Sequence, residues 1–217
     1  MSSVLEPRDI LLLDRLSGGI IARSFSPPDA LDRFKRLTHP VRAHLDITWI
    51  DQALGLPQTP GWPVLLYAYP ELIVDDADTT EIQLHDGTVV PYCTVDIIAV
   101  RPSHIIPTRL FRPYAGLQRS ESVSQNTDML PIFFRSSDGG VGVPLNAGDH
   151  YASLPASLTR ISAYSLKVVL NLLNYKPYER QIRPRASKAR GNVTVRRLAY
   201  LVALKVCECL QVRLSKH

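Results

Sequence analysis

The stretch "YKPYERQIRPRASKARGNVTVRR", Tyr175 to Arg197, holds the residue types that recognise phosphate: eight Lys or Arg against one acid, Glu179. The basic positions are Lys176, Arg180, Arg183, Arg185, Lys188, Arg190, Arg196 and Arg197. Such side chains neutralise nucleic-acid phosphates, and Tyr175 or Tyr178 could stack on bases. The same charges also keep a strand edge soluble. Alternation turns Tyr178 inward with Ile182 and leaves Tyr175 in a turn, its ring over the hairpin end. The solubilising reading is therefore preferred, with nucleic-acid contact as the alternative.

Other chemistries are weaker on spacing. His39 and His44 lie beside a proline, no Cys-x-x-Cys occurs, and Cys207 and Cys209 point to different sides of a helix. No metal site and no cofactor are expected. "DGGVGVP" lacks the phosphate-loop Lys-Ser/Thr and a helix directly after it, so a hairpin tip explains it better. Asp75, Asp76 and Asp78 lack the spacing of a calcium loop and read as a solvated turn. No Ser occupies a Gly-x-Ser-x-Gly elbow, and nothing local places His85, His104 or His150 near a nucleophile. No catalytic site is expected.

These residues sit in a chain of 217 with 45% hydrophobic and 21% charged residues, the composition of an ordinary globular protein. Seventeen prolines argue for short elements joined by fixed turns. Residues 176–217 contain eleven basic and two acidic residues, a balance of +9; residues 1–175 hold fourteen and eighteen, giving −4. The basicity is local, which hints at an anionic partner. Three cysteines imply no disulfide framework, the N-terminus lacks a signal-peptide pattern, and no run reaches membrane-spanning length. The expectation is an intracellular protein, cytoplasmic or nuclear, without a membrane partner.

The elements that would position the basic stretch are legible. "YSLKVVLNLL" predicts a strand with Tyr164, Leu166, Val168, Leu170 and Leu172 on one face, and "YERQIR" returns with Tyr178 and Ile182 inward. Thr194 then caps a helix striped by Val195, Leu198, Ala199, Val202, Val206, Cys209 and Leu210. A hairpin followed by an amphipathic helix predicts an α+β fold, β-grasp-like in this half.

Upstream, residues 4–17 and "SPPDALDRFKRL" predict helices. The second is capped by Ser26 and apolar along Ala30, Leu31, Phe34 and Leu37. "DITWIDQAL" fits a strand or a helical turn. "WPVLLYAY" predicts a buried strand, and "TEIQLHDGTVVPYCTVDIIAV" predicts a hairpin turning at Asp86-Gly87. Val89, Cys93, Val95 and Ile97 share one face of it, with Pro91 marking an edge or a bulge. "LPIFFRSSDGGVGVPL" predicts a further hairpin. The polar run 118–128 divides an N-terminal lobe, 1–117, from a C-terminal one, 129–217.

From "PIFF" and "GVGVPL" through "LNLLNYKPYERQIRPR" to "TVRRLAYLVALKV", over about residues 129–212, the chain resembles uncharacterised proteins of mushroom-forming fungi. Those proteins carry a Trp-Pro-Gly-Tyr turn, a Gln-Ile strand and a Thr-capped helix of the "LA..VA" type. Here Leu172-Leu173-Asn174-Tyr175 occupies the turn, and Asn174 can replace Gly because Asn also visits left-handed geometry. The resemblance implies no known activity and brings no functional residue with it.

The expected function is a non-catalytic protein-interaction module acting through a sheet edge or the helix. A nucleic-acid-associated protein is the alternative, and an enzyme of unrecognised type comes third.

Overall fold

The computed structural model describes residues 17–42, 60–67, 79–83, 87–112, 114, 116–120, 131–136, 140–145, 148–184 and 191–214. Readings that fall on residues 4–16, "DITWIDQAL", Asp75–Asp78, His44, His85 and Asp86 lie outside them, as do the side chains of Leu37, His39 and His150. The fold is α+β and the chain divides into two compact units. The first comprises residues 1–73, 79–131 and 172–174; the second comprises 74–78, 132–171 and 175–217.

In the first unit, α1 (Ile20–Ser24) and α2 (Pro27–Arg42) accompany a three-stranded antiparallel sheet. Its strands are β1 (Pro63–Tyr67), β2 (Thr79–Gln83) and β3 (Val89–Ile97), in the order β1-β3-β2. Ser26 begins α2 as the sequence predicts: its Oγ accepts from Asp29 N at 3.4 Å, and Ala30, Leu31 and Phe34 are buried. The expected hairpin forms, with Gln83 opposite Val89 and Gly87 at φ +85°. Val89 itself is exposed, while Cys93, Val95 and Ile97 are buried.

Pro91 has a more specific explanation than the expected edge or bulge. The register of β1 against β3 stops at Tyr67–Tyr92, so at Pro91 β3 is paired only with β2 among the described residues. At Tyr92 and Cys93 β3 pairs on both sides, and from Tyr92 onward both its faces are buried: Tyr92, Thr94 and Asp96 as well as Cys93, Val95 and Ile97. The irregularity in the sheet lies instead between Val64 and Leu65 of β1.

In the second unit, β4 (Leu166–Leu170) and β5 (Tyr178–Ile182) pair antiparallel, and α3 (Val195–Leu214) packs on both. Asn174 in the connecting turn has φ +66°, the left-handed geometry for which Asn substitutes for Gly. Val168, Ile182, Val193 and Leu198 form one buried cluster, with Leu166, Leu170 and Ile161 against it. Tyr151, Leu154, Ala199 and Ala203 form another. Full burial of one such aliphatic side chain contributes about 1.5–3 kcal/mol, so these clusters hold the helix on the hairpin.

Thr194 caps α3 as expected: its Oγ1 accepts from Arg197 N at 3.3 Å and its carbonyl from Leu198 N at 2.9 Å. Ile182 packs by Leu198 near the helix start, whereas Tyr178 reaches Glu208 near its end, so α3 runs antiparallel to β5. Among the described residues of "PIFFRSSDGGVGVPL", Arg135 bridges to Val141, supported by Gly142 N to Phe134 O at 2.7 Å.

Candidate functional site

The basic stretch resolves into residues with different work. Arg185, Lys188 and Arg190 lie outside the described residues. Arg196 is a structural clamp: Nη2 donates to Leu154 O at 2.7 Å and Ala152 O at 2.9 Å, and Nε to Leu154 O at 3.2 Å. It thereby satisfies carbonyls at the end of the 3₁₀ helix Gly148–Ser153. Arg180 donates to Glu179 O at 2.9 Å and lies 4.6 Å above the Tyr178 ring. Lys176 is exposed in the turn before β5.

Arg183 and Arg197 form a different pattern. The Arg183 guanidinium stands 6.0 Å from the Tyr164 ring centre, and that of Arg197 stands 5.8 Å from Tyr200, at the outer limit of a cation–π contact. Tyr164 precedes β4 by two residues and Arg183 follows β5 by one, so their contact lies at the open end of the hairpin. The start of α3 lies at this same end, because Val193 and Leu198 pack on Ile182. Both Arg–Tyr pairs therefore occupy one end of the unit. Tyr164 is 43% exposed, contrary to its expected inward place on the β4 face, and Tyr200 is 38% exposed. Beyond Leu166, chain alternation no longer holds Tyr164 against a neighbour.

Tyr200 is also held by Tyr151, which meets it at 5.5 Å and 89°, a T-shaped pair. Leu204, one turn further along α3, is exposed as well. The start of α3 is basic. The first turn of α3 contains no acid, although the helix dipole favours one there, and instead begins Val195-Arg196-Arg197. Sequence reading missed Tyr164, Tyr200 and Leu204. The available signals were arginines at the positive pole of a helix and Tyr200 three residues beyond Arg197, on the same face.

Glu179 and Glu208 are both engaged. Glu179 accepts from Lys167 Nζ at 3.0 Å on the outer face of the hairpin. Glu208 accepts from Lys205 and, at 3.1 Å, from the Tyr178 hydroxyl. Lys205 chiefly, with Tyr178, holds the Glu208 carboxyl below the usual range; burial and then Glu208 push the Tyr178 hydroxyl above its own. Cys209 is buried and Cys207 half-buried, matching the expected core and flank thiols.

The first unit contains the other concentration of charge. Asp96 is 2% exposed, and its carboxylate accepts from Ile21 N and Ala22 N at 2.9 Å each and from Ile97 N at 2.8 Å. Burial pushes its pKa up, against the pull of these three amides and of Arg33. Arg33 is also buried, and burial pushes its pKa down against the attraction of Asp96. Buried ionisable groups are a usual sign of catalysis. Here the adjoining cavity, lined also by Phe25, Ala30 and Phe34, leaves ≈ 10 Å³ for the centre of a water-sized sphere, room for about one water. Asp96 serves architecture: it satisfies the first amides of α1, and Gly19 passes so close that a Cβ there would overlap the carboxylate.

Among the described residues no group of three His, Cys, Asp or Glu side chains converges as metal ligands would, and no helix is long and apolar enough to cross a membrane. No protein-family model, curated protein or solved structure matches the chain.

Proposed function

We propose that the protein is a non-catalytic interaction module and that the open end of its second unit binds an acidic surface of a partner protein. The observation that carries this reading is the pairing of Arg183 with Tyr164 and Arg197 with Tyr200 at one end, both tyrosines substantially exposed. Arg and Tyr are the residue types that anchor protein interfaces. Tyr200 is held by Arg197 and by its T-shaped contact with Tyr151, so little side-chain freedom is lost on binding. The acidic character of the partner follows from the charge balance of +9 over residues 176–217 and from a helix start without an acid.

A nucleic acid would meet the same charge, but three features favour protein. Guanidinium groups already lie over the tyrosine rings on which bases would stack. Arg196 is committed to backbone carbonyls, and Glu179 interrupts the basic positions.

The test is affinity capture from the native cell, with and without nuclease, using the parent and an Arg183→Glu/Arg197→Glu variant. An acidic protein captured despite nuclease, and lost with the charge reversal, is the expected result. Duplex DNA binding is measured alongside, where a site contacting about five phosphates gives a log–log salt slope near −4 to −5. Such a slope, abolished by replacing Arg183, Arg185, Lys188 and Arg190 with Gln, would establish the nucleic-acid reading instead.

A further inference from the structure

Residues 100–120 of the first unit, "VRPSHIIPTRLFRPYAGLQRS", contain four arginines, Arg101, Arg109, Arg112 and Arg119, and no acid. They also expose large apolar side chains that a soluble surface does not require. Val100, Ile106, Phe111, Tyr114 and Leu117, together with Trp62, are each 47% to 68% exposed. Trp62 belongs with them because its carbonyl accepts from Ile98 N at 2.8 Å, and Gly61 beside it lies near Val100. Scattered single exposures are ordinary; five in eighteen residues, interleaved only with positive charge, are not.

The segment is anchored at intervals. Thr108 donates through N and Oγ1 to Ser24 O at 2.6 and 3.1 Å, and Arg112 bridges Asp29 and Asp32 at 3.2 and 3.1 Å. Arg119 lies 3.6 Å over the Tyr114 ring. Between these ties the backbone is irregular, with Pro102 and Pro107 and one short 3₁₀ turn, Pro102–His104. It offers neither a strand for β-addition nor an amphipathic helix for a partner's groove.

We infer that this segment is a peripheral membrane-contact surface: its apolar side chains enter the interface of an anionic bilayer while its arginines other than Arg112, which is tied to Asp29 and Asp32, meet the lipid headgroups. Charge fixes the occupant as anionic. The arrangement fits a bilayer because side chains exposed one by one along an irregular, arginine-bearing segment can insert into a fluid surface that needs no matching pocket. Trp and Tyr favour the headgroup level, aliphatic side chains favour the boundary beneath it, and arginine stems extend apolar contact while the guanidinium remains wet. The expectation of no membrane partner rested on the lack of a spanning run, which does not bear on surface contact.

The experiment is vesicle co-sedimentation of the full chain at physiological salt, comparing pure phosphatidylcholine with vesicles containing about 30% phosphatidylserine. Binding to the anionic vesicles alone is expected. Ile106→Ser/Leu117→Ser should abolish it, and Arg101→Gln/Arg109→Gln should weaken it about thirtyfold, as two surface charges imply. These positions are exposed, and a circular-dichroism melt checks that the variants fold. Absence of binding, or binding that survives both double variants, would overturn the inference. So would binding lost on Arg183→Glu/Arg197→Glu, which would move the lipid contact to the second unit. Light scattering covers the remaining occupant: a parent dimer that Ile106→Ser/Leu117→Ser converts to monomer would assign the surface to a second copy of the chain.

Discussion

In the first unit the leading amides of α1 are satisfied by Asp96, a side chain 75 residues away in sequence from Ile21 and buried beside Arg33. In the second unit the start of α3 is satisfied by its own Thr194, and the core beneath it is Val168, Ile182, Val193 and Leu198. One unit buries a carboxylate beside its first helix, and the other packs its last helix on an aliphatic cluster. The difference separates two ways of holding a helix on a small sheet. A local cap leaves the core free to be apolar; a distant cap requires a charge to be buried and compensated.

The comparison is broken most decisively by inserting a carboxylate where the second unit has none. Leu198→Asp places an acid against Val168, Ile182 and Val193 without the amides and guanidinium that Asp96 has. Expected destabilisation is about 4 kcal/mol or more, read from a chemical-denaturation midpoint. A variant as stable as the parent would show that α3 does not pack there.

Removing the carboxylate from the first unit is the converse. Asp96→Ala leaves three amides without their acceptor and Arg33 without its counter-charge, at an expected cost of about 3–5 kcal/mol. Hydrogen exchange at Ile21 and Ala22 should accelerate first, because those amides lose their acceptor. If their protection is unchanged, Asp96 is not the cap.

The smallest effect is in titration. Burial raises the Asp96 pKa, so the proton-linked part of its contribution to stability is present at low pH and is lost as pH rises through the shifted value, while its hydrogen bonds to the three amides remain. The Lys205 hydrogen bond lowers the Glu208 pKa, so that contribution is present above the ordinary glutamate range and is lost as pH falls through the lowered value. Carboxyl NMR should find Asp96 above about 3.9 and Glu208 below about 4.3. The reverse order would contradict the environments described for both.

What the sequence by itself determined is what neighbouring residues settle among themselves. Ser26 and Thr194 cap their own helices, Tyr178 and Ile182 alternate inward, and Asn174 tolerates a positive φ. Each depends on a span of a few residues, so periodicity and turn chemistry suffice to read it. The tertiary structure alone decided that Pro91 is paired only with β2 among the described residues, that Asp96 caps α1, and that Tyr164 meets Arg183. It also decided which arginines of the basic stretch are spent on the fold: Arg196 binds the carbonyls of Ala152 and Leu154, more than forty residues earlier. A charge run reads alike whether its members face solvent or backbone, because hydrogen-bond partners distant in sequence leave no local pattern.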